Sequence, residues 1–382
     1  MTENMTWDIF CTVIDNYGDI GVSWRLARQL SMEHGVSVRL WVDDLRAFKH
    51  LRPEIDPALP IQHLAGVEVR HWVSPLPEVT PGEVVIEVLA CHLPEAFVVR
   101  MTCRQPAPVW LNLEYLSAED WVAGIHGLPS PHPRLPLTQY FFMPGYSDNT
   151  GGLTRESRLT AERDAFQSDP EARIAFWTAL NLPPPQDNEL RISLFSYENR
   201  ALPSVLDAWT KEAQPICVLT PIGKALPEIA AWFDVESYSA GDIWRRGELT
   251  LCVLPMLDQD AYDRLLWACD FNFVRGEDSF LRAQFAARPL AWQAYVQEDA
   301  AHLAKLDAFL DLYCADLPGD LAQQTRMFWH AWNLESDLTA LWPSMRAALP
   351  ELAAHARAWD TQLEKQNDLA TNLLTFCRKW LK

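Results

Sequence analysis

The sequence predicts an α/β protein built from two consecutive β-α domains. Three observations carry that prediction. Short apolar runs alternate with amphipathic helical stretches through most of the chain, the pattern of parallel strands linked by crossover helices. The runs lack strict apolar–polar alternation, as strands covered on both faces do. The pattern also breaks once, at Leu182-Pro183-Pro184-Pro185-Gln186-Asp187-Asn188, and then restarts. Three consecutive prolines cannot continue a helix, so the break divides the chain into residues 1–184 and 185–382. At roughly 150 residues per domain, the 382 residues suffice for two or three domains.

In order along the first half, residues 9–14 read as a strand. Residues 22–34 read as a helix, with Val22, Leu26 and Leu30 four apart. Residues 36–42, 84–90 and 109–115 read as further strands. Residues 127–136 are proline-rich and weakly periodic, and read as an ordered loop. In the second half, residues 190–196, 216–220, 249–254 and 271–274 read as strands. Helices at 202–213, 226–233 and 262–268 separate them, and from residue 302 the chain reads as helix after helix. Two such units, facing each other across a cleft and followed by a helical C-terminal segment, are the expected architecture.

Composition narrows the function. Apolar residues make up 49% and charged residues 22%, as in an ordinary globular protein. Net charge is −19, and no run of lysine and arginine supplies the basic face that a nucleic acid demands. The acidic balance suits a cationic partner or plain solubility. The 17 tryptophans read as core or interface anchors. Eight scattered cysteines without a C-x-x-C pair read as buried free thiols in a reducing compartment. No basic, apolar leader and no apolar run of about 20 residues is visible. A cytoplasmic protein free of membrane and nucleic acid is the expectation.

Three polar junctions stand out. The first is Asp15-Asn16-Tyr17-Gly18-Asp19-Ile20-Gly21, between an apolar strand and a helix. Ligands of open α/β sheets bind outside the carboxyl ends of strands, and two acids there suit base chemistry or the gripping of a cation. Gly18 and Gly21 would allow a close ligand approach. The alternative is a turn with a helix cap, for which Asp, Asn and Gly are common. No dinucleotide G-x-G-x-x-G occurs.

The second junction is Arg275-Gly276-Glu277-Asp278-Ser279. A strand–glycine–helix turn presents backbone N–H groups to a diphosphate. Arg275 would neutralise phosphate charge, Ser279 would donate a hydroxyl, and Glu277 would lie at the cleft mouth. An acidic capped helix start is the equal alternative. The third is Asp258-Gln259-Asp260, either a metal-binding D-x-D or, the stronger reading, a helix start. Gln259 and Tyr262 would meet a ribose or base. Tyr197, beyond the strand at 190–196, either donates to a phosphate or is a half-buried core tyrosine. Pro221-Ile222-Gly223-Lys224 lacks the leading glycine of a phosphate-binding loop, and the histidines are isolated.

The runs I-D-N-Y-G-D-I-G-V-S-W-R-L-A-R-Q-L from Ile14 to Leu30, F-V-R-G-E-D-S-F from Phe273 to Phe280 and A-Q-F-A-A-R-P-L-A-W-Q from Ala283 to Gln293 resemble one family. It is EarP, the protein-arginine rhamnosyltransferases that modify translation elongation factor P. The resemblance spans essentially the whole chain. It implies a GT-B fold, two Rossmann-like domains with the nucleotide-sugar held mainly by the C-terminal one. It implies dTDP-β-L-rhamnose as donor, inversion at the anomeric carbon, and an acceptor arginine on the N-terminal domain of elongation factor P. Asp15, Asp19 and Glu277 match the family's essential acids. Tyr197, Gln259, Tyr262, Arg275, Asp278 and Ser279 match donor-binding positions, and the family needs no metal or other cofactor. On this basis Asp19 is the expected base, with Asp15 fixing the guanidinium or supporting Asp19. Glu277 would hold the acceptor or steady charge on the sugar. Two rivals stay open on the residues alone. One is a GT-B transferase with a small-molecule or lipid acceptor. The other is a non-catalytic nucleotide-sugar-binding protein, which has less use for three acids.

Overall fold

The computed structural model describes residues 5–14 and 17–381. The chain forms two compact units. The first runs to Ser157 and takes in the chain from Glu364 onward; the second is Arg158–Leu363.

The first unit comprises β1 (Thr6–Cys11), α1 (Gly18–His34), β2 (Ser37–Val42), α2 (Leu45–Leu51), β3 (Ile61–Leu64), β4 (Val67–His71), β5 (Val84–Val88), α3 (Glu95–Met101), β6 (Val109–Leu113), α4 (Trp121–Ile125), β7 (Pro129–Pro131) and β8 (Thr138–Phe142). The sheet order is β3-β4-β2-β1-β5-β6-β8-β7, antiparallel only at its edge strands β3 and β7. Its six parallel strands therefore run third, second, first, fourth, fifth, sixth, the doubly wound order whose switch point lies beside the first strand. Ile9 pairs with Leu40 on one side and Ile86 on the other, and these join Trp24, Leu26 and Leu30 of α1 in one core. Phe10, Trp41, Val85 and Trp110 point the other way and pack with Phe97 of α3. Burial on both faces is why these strands read as continuous apolar runs.

The second unit opens with α5 (Leu159–Ser168) and α6 (Pro170–Ala179). It continues through β9 (Leu190–Leu194), α7 (Leu202–Trp209), β10 (Ile216–Pro221), α8 (Leu226–Trp232), β11 (Ile243–Arg246), β12 (Leu249–Leu254), α9 (Gln259–Ala268), β13 (Phe271–Arg275), α10 (Asp278–Phe285) and β14 (Leu290–Gln293). The order β11-β12-β10-β9-β13-β14 repeats the doubly wound scheme, with the switch between β9 and β13. Four helices follow: α11 (Ala301–Tyr313), α12 (Gly319–Asn333), α13 (Trp342–Ala347) and α14 (Leu349–Leu363).

The structure corrects several boundaries. The first strand starts at Thr6 and stops at Cys11, so Val13 and Ile14 belong to the loop, where Ile14 is 68% exposed. Asp8 kept the strand's start from being recognised. It is fully buried and accepts from Arg39, the Trp41 indole and the Gly82 amide. A Cβ at Gly82 would strike the Thr6 carbonyl, so that approach requires glycine. The stretch 127–136 contains the edge strand β7. The prolines at 183–185 lie inside the second unit, because α5 and α6 before them pack on its core through Phe166, Phe176 and Trp177. The last helix, α15 (Leu369–Arg378), belongs to the first unit, contributing Leu369, Leu373, Leu374 and Cys377 to its core.

Candidate active site

In the first unit, two carboxylates hold the chain where it leaves β1, at Val13 and Ile14. The Val13 amide donates to Asp43 Oδ1 at 2.9 Å and the Ile14 amide to Asp19 Oδ2 at 2.7 Å. Asp19 sits in the first turn of α1, only 3% exposed, and its own carbonyl accepts the Ser23 hydroxyl at 2.8 Å. It is not the N-cap, which is Tyr17, a residue whose side chain makes no capping bond. Asp19 reaches back from the helix across the loop, which fixes its carboxylate at the carboxyl edge of the sheet. Asp15 lies outside the described residues. Gly18 and Gly21 are ordinary helical residues, neither with a positive φ, so backbone geometry does not demand glycine at either position. Beside them the Cys11 thiol is pushed far up, chiefly by burial and further by Asp19; it is not a nucleophile at neutral pH.

In the second unit the expected donor residues come together at the switch point. Gly276, at φ 61°, lets the chain turn sharply from β13 into α10. The Trp292 indole donates to the Gly276 carbonyl at 2.7 Å and fixes that turn. Arg275 is buried, with its guanidinium carbon 4.3 Å from the Tyr197 ring centroid and 4.5 Å from that of Phe195. Both rings lie just beyond β9, the strand across the switch. The Tyr197 amide donates to Gln293 Oε1 at 2.8 Å, which locks that loop to β14. Stacked on two aromatic faces, Arg275 keeps its planar donor fork in one orientation.

The same cluster continues into α9 and α10. Gln259 donates from Nε2 to Asp278 Oδ2 at 2.9 Å. Tyr262 packs edge-on against Phe195, ring centroids 5.5 Å apart. Burial pushes its phenol up, partly offset by a hydrogen bond with Ser279. The Ser279 hydroxyl donates to the Arg275 carbonyl and accepts the Arg275 amide at 3.2 Å. Its first commitment is therefore to the turn, which differs from the free phosphate donor expected. Asp258 caps α9, accepting from the Ala261 amide at 2.8 Å; the helix-start reading of that D-x-D holds. Glu277 occupies the N-cap position of α10 without capping it, and is half-buried. A buried ion pair, Arg282 to Asp263 at 2.7 Å and 3.1 Å, clamps α10 to α9 below the site.

Asp43 escaped the sequence reading, and Lys224 entered it only within a loop set aside for lacking a phosphate-binding glycine. Asp43 follows β2 and anchors the acid-bearing loop. Lys224 follows β10, with its ammonium 5.6 Å from the Tyr197 ring. Only the strand order, which sets β2 beside β1 and β10 beside β9, brings them in.

A family profile described as elongation factor P rhamnosyltransferase EarP matches residues 7–378. The protein-arginine rhamnosyltransferase of Pseudomonas putida is 51% identical over 378 residues, covering 98% of this chain and 99% of that protein. A solved structure concerning EarP-mediated arginine glycosylation of translation elongation factor EF-P superposes with a TM-score of 0.71 at 38% identity, covering 98% of this chain and 99% of the other. MurG of Acinetobacter baumannii, at 11% identity, shares the fold with a TM-score of 0.50, covering 99% of this chain and 100% of the other.

Proposed function

The chain belongs to the EarP family of elongation factor P rhamnosyltransferases, and from that premise we propose how its two units divide the reaction. It is a GT-B glycosyltransferase that adds rhamnose to an arginine of elongation factor P. The sensor and small-acceptor readings give way to this one. The second unit holds the donor, dTDP-β-L-rhamnose, at its switch point. The first unit receives the arginine, presented by the N-terminal domain of the factor. No helix among the described residues is long and apolar enough to cross a membrane. The reaction belongs in the cytoplasm because the acceptor is a translation factor.

The observation that carries the donor assignment is the connected set of Tyr197, Arg275, Ser279, Asp278 and Gln259 at the carboxyl edge of β9 and β13. Arg275 neutralises the diphosphate and the N-terminus of α10 presents its positive end to it. Tyr262 lines the thymidine side. Transfer is one inverting, in-line displacement. A guanidinium nitrogen forms its bond to the anomeric carbon. The bond to the β-phosphate oxygen breaks, and its electron pair leaves with dTDP. Arginine holds its proton to above about pH 12, so a carboxylate does not strip it at rest. Asp19 orients the guanidinium fork and takes the proton as the new bond forms, and Asp15 supports it. Glu277 holds the acceptor or steadies the positive charge that develops on the sugar ring. No metal is required.

The test is incubation with dTDP-β-L-rhamnose and elongation factor P, read by intact mass. One added deoxyhexose on the factor, placed on arginine by fragmentation and unchanged by EDTA, is the expected result. An unmodified factor, or activity lost to EDTA and restored by magnesium, overturns the reading or its metal-free form respectively.

A further inference from the structure

The loop Ile222-Gly223-Lys224, which follows β10, has had no role so far. It leaves β10, the strand beside β9, and is held by the Ile222 amide donating to the Leu254 carbonyl at 3.0 Å. The loop lies against the donor cluster, for a Cβ placed on Gly223 would sit 4.0 Å from Phe195 Cε2. Lys224 is exposed, and no carboxylate among the described residues pairs with it. Its ammonium approaches the Tyr197 ring at 5.6 Å, the ring that Arg275 approaches at 4.3 Å. Two cations converge on one tyrosine face at the mouth of the donor cluster, an arrangement that suits a polyanion beside that ring.

We propose that Lys224 is a donor-binding residue that contacts the β-phosphate, the leaving-group end of the nucleotide diphosphate; the assignment rests on the donor site proposed above. The β-phosphate oxygen gains negative charge as the sugar bond breaks. A flexible ammonium that follows that oxygen stabilises the charge where it develops. Arg275 is fixed by its two rings and lacks that freedom, whereas Lys224 reaches in from an exposed loop on a four-carbon stem. The division of labour gives each cation its own position: Arg275 on the inner diphosphate and Lys224 on the outer phosphate.

The experiment is titration calorimetry of full-length Lys224→Ala, Lys224→Arg and Arg275→Ala with dTDP, thymidine monophosphate and thymidine. Lys224→Ala is expected to weaken dTDP about tenfold, the worth of one charge-assisted hydrogen bond. It should leave the monophosphate within about twofold, and Lys224→Arg should recover most of the loss. Equal losses for dTDP and the monophosphate, or no loss for dTDP, overturn the assignment. The Arg275 arm separates the two readings. If Arg275→Ala weakens dTDP while Lys224→Ala does not, only the lysine assignment fails; if neither matters, the donor site itself fails.

Discussion

Asp19 joins two tasks in one side chain. One carboxylate oxygen holds the Ile14 amide at 2.7 Å, which sets the loop and the acid together. The charge is what the proposed reaction needs, since only an anion pairs with the guanidinium and accepts its proton. Asp19→Asn separates the tasks, because an amide carbonyl still accepts from Ile14. Its dTDP affinity should match that of the unaltered protein, while turnover falls by about 10²–10⁴-fold, the contribution of a positioned base. Calorimetry and a mass-based rate assay on the same preparation check both halves. Turnover near normal would remove Asp19 as the base.

At the scale of elements, the donor site depends on how α10 is seated. Arg282 and Asp263 are 3% and 5% exposed and paired in a fork between α10 and α9. Breaking one partner leaves an unmatched charge in the interior. Asp263→Asn should therefore cost about 3–5 kcal/mol of stability, read as a lowered urea midpoint. The double change Asp263→Leu with Arg282→Met should recover most of it. None of this pair was visible in the sequence, because an Asp and an Arg on separate helices announce a meeting only once the sheet fixes those helices side by side. The strands were visible for the opposite reason: burial on both faces writes itself locally as apolar runs, and 249–254 was read to the residue as β12. Where a buried polar group interrupts such a run, as Asp8 does in β1, the local pattern fails. Its compensation comes from Arg39, Trp41 and Gly82, all distant in sequence. The site followed the same rule. Glycine and acid at a strand-to-helix turn identified the Arg275–Ser279 junction, whereas Lys224 and Asp43 depended on which strands become neighbours. The return of α15 to the first unit was hidden likewise. It is fixed by Gln29 donating to Asp368 and by the Leu369 amide donating to the Leu153 carbonyl.

At the scale of the whole molecule, each unit carries a histidine held neutral by its surroundings, and this sets a direction for pH dependence. In the first unit, His126 Nδ1 accepts the Met143 amide at 3.1 Å, so that nitrogen must be unprotonated. Burial, and then Lys379 of the C-terminal segment, push its pKa below the ordinary value near 6.5. In the second unit, His355 donates to the Tyr313 carbonyl at 2.7 Å and packs edge-on against that ring; burial lowers its pKa as well. A group whose folded pKa is lowered binds fewer protons folded than unfolded below the unfolded value. Its contribution is complete above about pH 6.5 and is lost as pH falls from there through the lowered folded value. Buried acids act the other way: burial raises Glu87 and Asp270, so the folded state takes up their protons first and regains stability as pH falls. The histidine part is isolated by comparing the unaltered protein with His126→Gln/His355→Gln, in which an amide can replace each hydrogen bond without titrating. Between about pH 7.5 and about pH 5.5, the urea midpoint of the unaltered protein should fall further than that of the double variant. Equal shifts would mean that neither ring is held neutral by the fold.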